Sequence, residues 1–167
     1  LVAESTLFSV GREGWVDSLN LVAAGLKANS RGRLDVKNYH TDVPHIYAAG
    51  DIIGFPSLAS TAMEQGRRAV LEAFGQKIEP LGDLPYGLFT IPEISMIGKN
   101  EQQLTADRVP YEVGLARYSE IARGKIIGDE TGMLKILFHR HTKKILGVHC
   151  IGELATEIVH IGQTVMN

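Results

Sequence analysis

The sequence predicts an α/β segment followed by an α+β domain built on an antiparallel sheet. Three observations carry that expectation. A short β-prone apolar run, residues 45–49, ends in Gly50-Asp51 and leads into a helix entered at Pro56-Ser57. Residues 75–82 change texture, with Pro80 and Gly82 as punctuation, and read as a linker. Beyond them the chain alternates apolar and polar residues in short runs, as strands of an antiparallel sheet do.

The totals narrow the function classes. With 44% hydrophobic and 22% charged residues, the 167-residue chain can build a sizeable core. A formal net charge of -2 leaves no electrostatic footprint for nucleic acid. No apolar run is long enough to span a bilayer, so no membrane partner is expected. Cys150 is the single cysteine, which rules out an internal disulfide and points to a cytoplasmic setting. The opening LVAESTLFSV has no secretory pattern and no initiator Met; it reads as mid-protein sequence, so a fragment is expected.

Element by element, residues 6–10 suggest a strand ended by Gly11-Arg12. Residues 18–26 place Leu19, Val22 and Ala23 at helical spacing, with Gly25 as the stop. Arg31-Gly32 makes a turn, residues 34–36 are extended, and Pro44 holds Val43 extended. The helix of residues 57–74 starts at Ser57 and presents Ala59, Ala62, Met63, Gly66, Ala69, Val70 and Ala73 on one small-residue face. Glu64, Arg67, Arg68 and Glu72 fall largely outside it. Residues 88–98 read as a strand interrupted or bent at Pro92. Residues 100–108 read as a helix with Asn100 and Gln103 in a capping box, and residues 111–118 as a strand. Residues 132–152 form a hairpin turning at 141–144, and residues 153–166 an amphipathic helix with Leu154, Ile158, Val159, Gly162 and Val165 on one side.

A strand ending in Gly50-Asp51 beside a helix start has a chemical logic. Glycine permits close backbone approach. The Asp51 carboxylate offers two acceptor oxygens to hydroxyl groups. The helix entered at Ser57 offers free N–H groups and a positive dipole end. Together they suit a polyhydroxyl chain followed by an electron-rich ring edge. On these residues alone, Asp51 capping a turn and Ser57 capping a helix remain an open alternative.

The run from Gly25 to Asp51, with Gly32, Val36, Thr41, Pro44, Ile46, Tyr47, Ala48 and Gly50 in register, resembles the second flavin-binding signature of the FAD- and NAD(P)-dependent pyridine nucleotide–disulfide oxidoreductase family. The stretches FTIPEISMIG and GMLKILFHRHTKKILGVHCIGELATEIVHIGQ resemble that family's dimerisation domain. The resemblance implies that residues 1–75 are the C-terminal part of the NAD(P)/FAD-binding region, an α/β remnant of a FAD-binding domain. It implies that residues 83–167 are a dimerisation domain, incomplete at its C-terminus, and that the protein is a homodimer through residues after Asp83. By the same resemblance FAD is held at Gly50, Asp51, Ser57, Leu58 and Ala59. Asp51 would bond the ribityl chain, and the N–H groups of Leu58 and Ala59 would face the pyrimidine edge. Within the family the chain looks most like the members that move hydride between NADPH and NAD through FAD without a redox disulfide.

The match has departures and gaps. In SVGREGW, Gly14 and Trp15 stand where the family has Pro-Asn, so no NAD(P) contact is assigned there. The glycine fingerprints for the FAD pyrophosphate and for NAD(P) are absent, and the family's C-terminal His-Glu pair would fall beyond Asn167. No catalytic side chain is therefore assigned, and the isolated piece is expected to hold FAD weakly or not at all. A dihydrolipoamide dehydrogenase-like disulfide oxidoreductase and a non-catalytic dimerisation module remain alternatives. A simple Rossmann dehydrogenase lacks its strand and glycine fingerprint.

The histidines invite a metal reading. With the hairpin turning at 141–144, Ile136 faces His149 and His139 faces Leu146, which sends His139 and His149 to opposite faces and argues for no metal site. Cys150 reads as an inert strand residue. The apolar side chains of Leu137, Leu146 and Val148 fit a subunit contact.

Overall fold

The computed structural model describes residues 2–79 and 81–166. The chain divides into two compact units, Leu1–Pro80 and Leu81–Asn167.

In the first unit the expected strands do not form. Residues 6–10 are exposed and pair with nothing among the described residues. In residues 45–49 a turn closes from the Ile46 N–H to the Val43 carbonyl (2.9 Å), and Tyr47 makes one isolated bridge to His40. A strand is a ladder shared with a neighbour, and here the neighbour is a tight two-residue turn. Lys37 and His40 exchange backbone bonds across Asn38 and Tyr39, both at positive φ (49° and 70°). The Tyr39 carbonyl then takes the Ala48 N–H at 2.9 Å. Residues 18–26 give two 3₁₀ turns, Asp17–Leu19 and Leu21–Ala24, instead of one helix, because Asn20 between them is left-handed. Gly25 stops the second in the left-handed conformation, as the sequence predicts.

The long helix α1 spans Ala59–Ala73. Its N-cap is Leu58, not Ser57, whose hydroxyl instead donates to the Gly54 carbonyl at 3.1 Å. The buried side chains are Thr61, Gln65, Arg68 and Ala69, whereas Met63 and Val70 are exposed. Of the small-residue face only Ala69 is buried, and the unit buries mainly a neighbouring polar stripe. The helix docks through polar groups: Gln65 Oε1 accepts the Gly50 N–H at 2.8 Å, and Glu72 lies 3.5 Å from His40 Nε2.

The second unit is a five-stranded antiparallel sheet. Its strands are β1 (Tyr86–Leu88), β2 (Ile94–Gly98), β3 (Tyr111–Arg117), β4 (Met133–His139) and β5 (Ile145–Ile151), in the order β1-β2-β5-β4-β3. Of the two expectations over 88–98, an interruption and a bend, the structure shows the interruption: β1 and β2 pair directly, and the Thr90 hydroxyl bonds the Pro92 carbonyl (2.7 Å) in the connection. Pro92 has no N–H to give a ladder, so the chain turns there. Helix α2 (Glu101–Ala106) carries the expected Asn100/Gln103 capping box. Helix α3 (Ala122–Ile127) is a finding the sequence reading lacks, and Tyr118 opens a 3₁₀ turn instead of ending β3.

The β4–β5 register is one residue off the expected one. Ile136 pairs with Val148, not His149, because a bulge falls between Leu137 and Phe138 and the loop is longer. A one-residue slip moves every side chain to the other face. His149 now lies opposite Lys135, and Cys150 opposite Leu134. The register argument separating His139 from His149 therefore fails. Their bonds separate them: His139 Nδ1 takes the turn N–H groups of His141 and Thr142, and His149 Nε2 meets the Lys99 carbonyl at 3.1 Å. No three His, Cys, Asp or Glu side chains gather as metal ligands among the described residues. Leu137 and Val148 fall on opposite faces and are core, 0% and 2% exposed, not a subunit contact.

Helix α4 (Ala155–Met166) covers one sheet face, where Ile97, Val148 and Val159 form the core. Gly162 lets it lie close, since a Cβ there would stand 2.9 Å from both Val148 methyls. Its first turn is fixed from outside: Glu93 Oε2 accepts both the hydroxyl (2.7 Å) and the N–H (3.1 Å) of Thr156. Those two bonds hold the Glu93 carboxyl below its ordinary range. Asp129 is also lowered, chiefly by the Glu153 N–H and then by Gly132 and Thr131. Their stabilisation is complete above the ordinary carboxylate range and lost as pH falls through the lowered values. The thermal midpoint of the wild type should therefore fall more steeply from about pH 6 to pH 3 than that of Glu93→Gln/Asp129→Asn protein. Equal slopes would remove these carboxylates from the account.

Candidate flavin-contact site

The site grows out of the turn that ends the residue 45–49 run. Thr41, buried, anchors it: the hydroxyl donates to the Ile46 carbonyl (2.8 Å) and accepts from the Val43 N–H (3.2 Å), while the Thr41 N–H also reaches Ile46. This gives the Thr41, Pro44 and Ile46 spacing a physical cause, since one hydroxyl closes the loop around Pro44. From Ile46 the chain runs through buried Ala48 to extended Ala49 (φ -149°) and enters the 3₁₀ turn Gly50–Ile53.

Gly50 takes φ +82°, which favours glycine, and a Cβ there would press on Ala62 Cβ at 3.4 Å. Its N–H is held by Gln65 of α1. The turn is held from the other side by the Leu34 N–H on the Ile52 carbonyl (2.9 Å). Asp51 is thereby presented on the surface with its side chain half exposed.

One oxygen of Asp51 is engaged: Oδ2 meets Arg12 Nη2 at 2.9 Å. Among the described residues nothing bonds Oδ1. Arg12 is carried there by a backbone crossing, in which Gly14 N–H bonds the Arg31 carbonyl at 2.9 Å. A Cβ on Gly14 or on Gly32 would run into the other's carbonyl. Gly14, the departure from the family's proline, thus supplies an N–H that proline lacks and a surface that proline would fill. Arg33 packs its guanidinium against Gly54, 3.3 Å from where a Cβ would stand. Arg12, Trp15, Arg33, Asp51 and Ser57 line a cleft of about 380 Å³.

Ser57, which lines this cleft, stands two residues before α1 begins. Its N-cap, Leu58, supplies no side-chain bond to the first turn. The Leu58 N–H itself goes to the Pro56 carbonyl at 2.8 Å. Ala59 opens the helix, whose positive end and unbonded N–H groups favour an electron-rich group. Asp51 thus keeps one open carboxylate oxygen, and the start of α1 carries no side-chain cap.

The five residues predicted from the sequence fall on one short segment: Gly50 and Asp51 on the turn, Ser57 and Leu58 on the approach, and Ala59 at the helix start. The sequence reading missed three supporting side chains. Arg12 stood in the quoted motif with an opposite charge to Asp51, a usable signal. Thr41 stood in the quoted signature without an assigned role, and Gln65 acts on a backbone N–H, which leaves no mark in the side-chain pattern.

Comparison with known proteins gives the wider setting. The model for "Pyridine nucleotide-disulphide oxidoreductase, dimerisation domain" matches residues 84–167, and that for "Pyridine nucleotide-disulphide oxidoreductase" matches residues 1–66. The soluble pyridine nucleotide transhydrogenases of Aliivibrio fischeri and Photobacterium profundum are each 56% identical over 98% of this chain. That of Citrobacter koseri is 55% identical over 99%. The chain spans 36% of the length of each of these relatives. Among solved structures, an HOCl-induced flavoprotein disulfide reductase, RclA from Escherichia coli, superimposes with a TM-score of 0.84 at 26% identity, over 95% of this chain and 37% of that one. LpdA from Mycobacterium tuberculosis does so with a TM-score of 0.82 at 27% identity, over 92% and 34%. Two matched models, one on each side of the unit boundary, and 56% identity over 98% of the chain lead to one assignment: the chain belongs to the pyridine nucleotide–disulphide oxidoreductase family.

Proposed function

We propose that this chain is part of a flavoprotein that transfers hydride between NADPH and NAD through FAD. The observation that carries the reading is the 56% identity to soluble transhydrogenases over 98% of the chain, a stretch that takes in both units. In this reading residues 1–75 are the C-terminal part of the nucleotide- and flavin-binding region. Residues 83–167 are a dimerisation domain, through which two copies form a cytoplasmic homodimer.

When bound, FAD supplies the relay that accepts hydride from one nicotinamide and passes it to the other. This chain's residues bind and orient it. Asp51 offers carboxylate oxygen to the ribityl hydroxyls from a turn locked by Gln65 and Leu34. The Ala59 end of α1 would hold the electron-rich edge of the flavin ring, because its unbonded N–H groups and positive dipole end favour negative charge. Gly50 lets the backbone approach without a side chain between.

A second reading has a specific observation behind it, the structural likeness to a flavoprotein disulfide reductase. In that case the full-length protein would exchange electrons between a nicotinamide and a dithiol/disulfide substrate, for a dihydrolipoamide dehydrogenase-like enzyme by oxidising dihydrolipoamide with NAD. One experiment separates them. The complete protein is given NADPH with an NAD analogue, and in parallel dihydrolipoamide with NAD. Transhydrogenation without dihydrolipoamide oxidation is the expected result. The reverse overturns the proposal in favour of the second reading, and neither activity in flavin-loaded protein would favour a non-catalytic dimerisation module.

A further inference from the structure

We propose that Arg12 is a positioning residue for Asp51: it holds one carboxylate oxygen so that the other is aimed at a flavin ribityl hydroxyl. The inference rests on the flavin reading above.

The pair joins residues 39 apart in sequence at 2.9 Å. As a stabilising contact it has little to offer. The side chains are 76% and 51% exposed, and ion pairs that open to water contribute little to stability. Yet the local backbone is built to deliver it. The Gly14–Arg31 hydrogen bond and the side-chain-free crossing of Gly14 and Gly32 fix the chain two residues after Arg12. On the other side, Gln65 and Leu34 fix the turn that carries Asp51. Two independently anchored backbones therefore meet in one charge-assisted bond at the wall of the cleft.

The gain is rotational. An aspartate on a turn has two torsions, and a free carboxylate would sample several orientations. A guanidinium on Oδ2 selects one of them and leaves Oδ1 to accept. A hydroxyl donating to a carboxylate forms a strong bond only when the acceptor is aimed. Arg12 itself touches no ligand atom in this account and acts through Asp51.

The test uses the full-length apoprotein and FAD, with the dissociation constant read from flavin fluorescence. Asp51→Ala, Arg12→Met, Arg12→Lys and the Arg12→Met/Asp51→Ala double variant are compared with wild type. Arg12→Met is expected to weaken FAD by about tenfold with an unchanged apoprotein thermal midpoint, and Arg12→Lys to recover most of that loss. The double variant should bind FAD within about threefold of Asp51→Ala alone, because Arg12 has nothing to orient once the carboxylate is gone. If Arg12→Met does not fold, Arg12→Gln takes its place with the same expectations.

A dissociation constant within about twofold of wild type for Arg12→Met overturns the inference. So does a double variant that shows the two losses added in full, or a lysine variant as weak as the methionine one. An unchanged dissociation constant for Asp51→Ala is a different failure: it removes Asp51 from the flavin site and takes the underlying reading with it.

Discussion

Gly132→Ala is expected to destabilise the second unit by about 3 kcal/mol, the upper end for overpacking a close-fitted site. Gly132 sits where a methyl would overlap the ring of Tyr118, a side chain 7% exposed. Three glycines form the slot for this tyrosine. A Cβ on Gly152 would stand 2.9 Å from the ring edge, and one on Gly124 would meet the Tyr118 backbone. The ring has no room to retreat. Its hydroxyl donates to the Glu153 carbonyl at 3.3 Å and contacts Cys150 Sγ at 3.4 Å. Burial and the Cys150 contact both raise the Tyr118 hydroxyl above its ordinary range, so it stays a donor at any physiological pH. The backbone at Gly132 is equally committed: its carbonyl takes the Tyr118 N–H and its N–H goes to Asp129 Oδ1. A urea unfolding midpoint measures the effect. Combining the change with Tyr118→Leu should recover part of the loss, because the clash partner shrinks. A loss below about 0.5 kcal/mol would mean that the slot yields easily and that the packing described here is loose.

Thr41→Val has the second largest expected effect, about 1–3 kcal/mol on the first unit, with a functional consequence. Valine keeps the shape and removes the hydroxyl that bridges Val43 and Ile46. The site is 8% exposed, so water does not easily replace the lost partner. The chain from Ile46 leads straight to the Gly50 turn, and a loosened loop delivers Asp51 with less fixed geometry. Full-length protein carrying Thr41→Val should therefore show both a lower unfolding midpoint and weaker flavin retention, while Thr41→Ser keeps both near wild type. A valine variant that loses stability yet retains flavin fully would detach this loop from the site.

The parts of the fold legible in the sequence are those set by local chemistry. The Asn100/Gln103 capping box, the left-handed stop at Gly25 and the β4–β5 hairpin each depend on residues a few positions apart. What escaped depends on partners far along the chain or on backbone detail. The Leu137/Phe138 bulge adds a residue to one strand without leaving a turn signal, so the register came out one place off. For α1, periodicity marked the small-residue stripe, but the unit buries the neighbouring face through Gln65, Arg68 and Thr61. A pattern of apolar residues cannot reveal a helix that docks by hydrogen bonds. The candidate site was proposed from the sequence as a segment, Gly50 to Ala59, because its residue types suit flavin contact. The Arg12 pairing and the Thr41 and Gln65 anchors were not, since they act across the fold on Asp51's posture.

The strand order β1-β2-β5-β4-β3 also governs how this unit comes into being. β5 lies at the centre of the sheet, between β2 and β4, yet it is the last of the five to leave a ribosome. Until Ile145–Ile151 emerges, the β1–β2 and β3–β4 pairs have no common neighbour, and neither pair alone is a stable sheet. The long-range β2–β5 closure must then wait for nearly the whole unit. The sheet therefore completes in a single late step, with β5 acting as the keystone that joins two half-built wings.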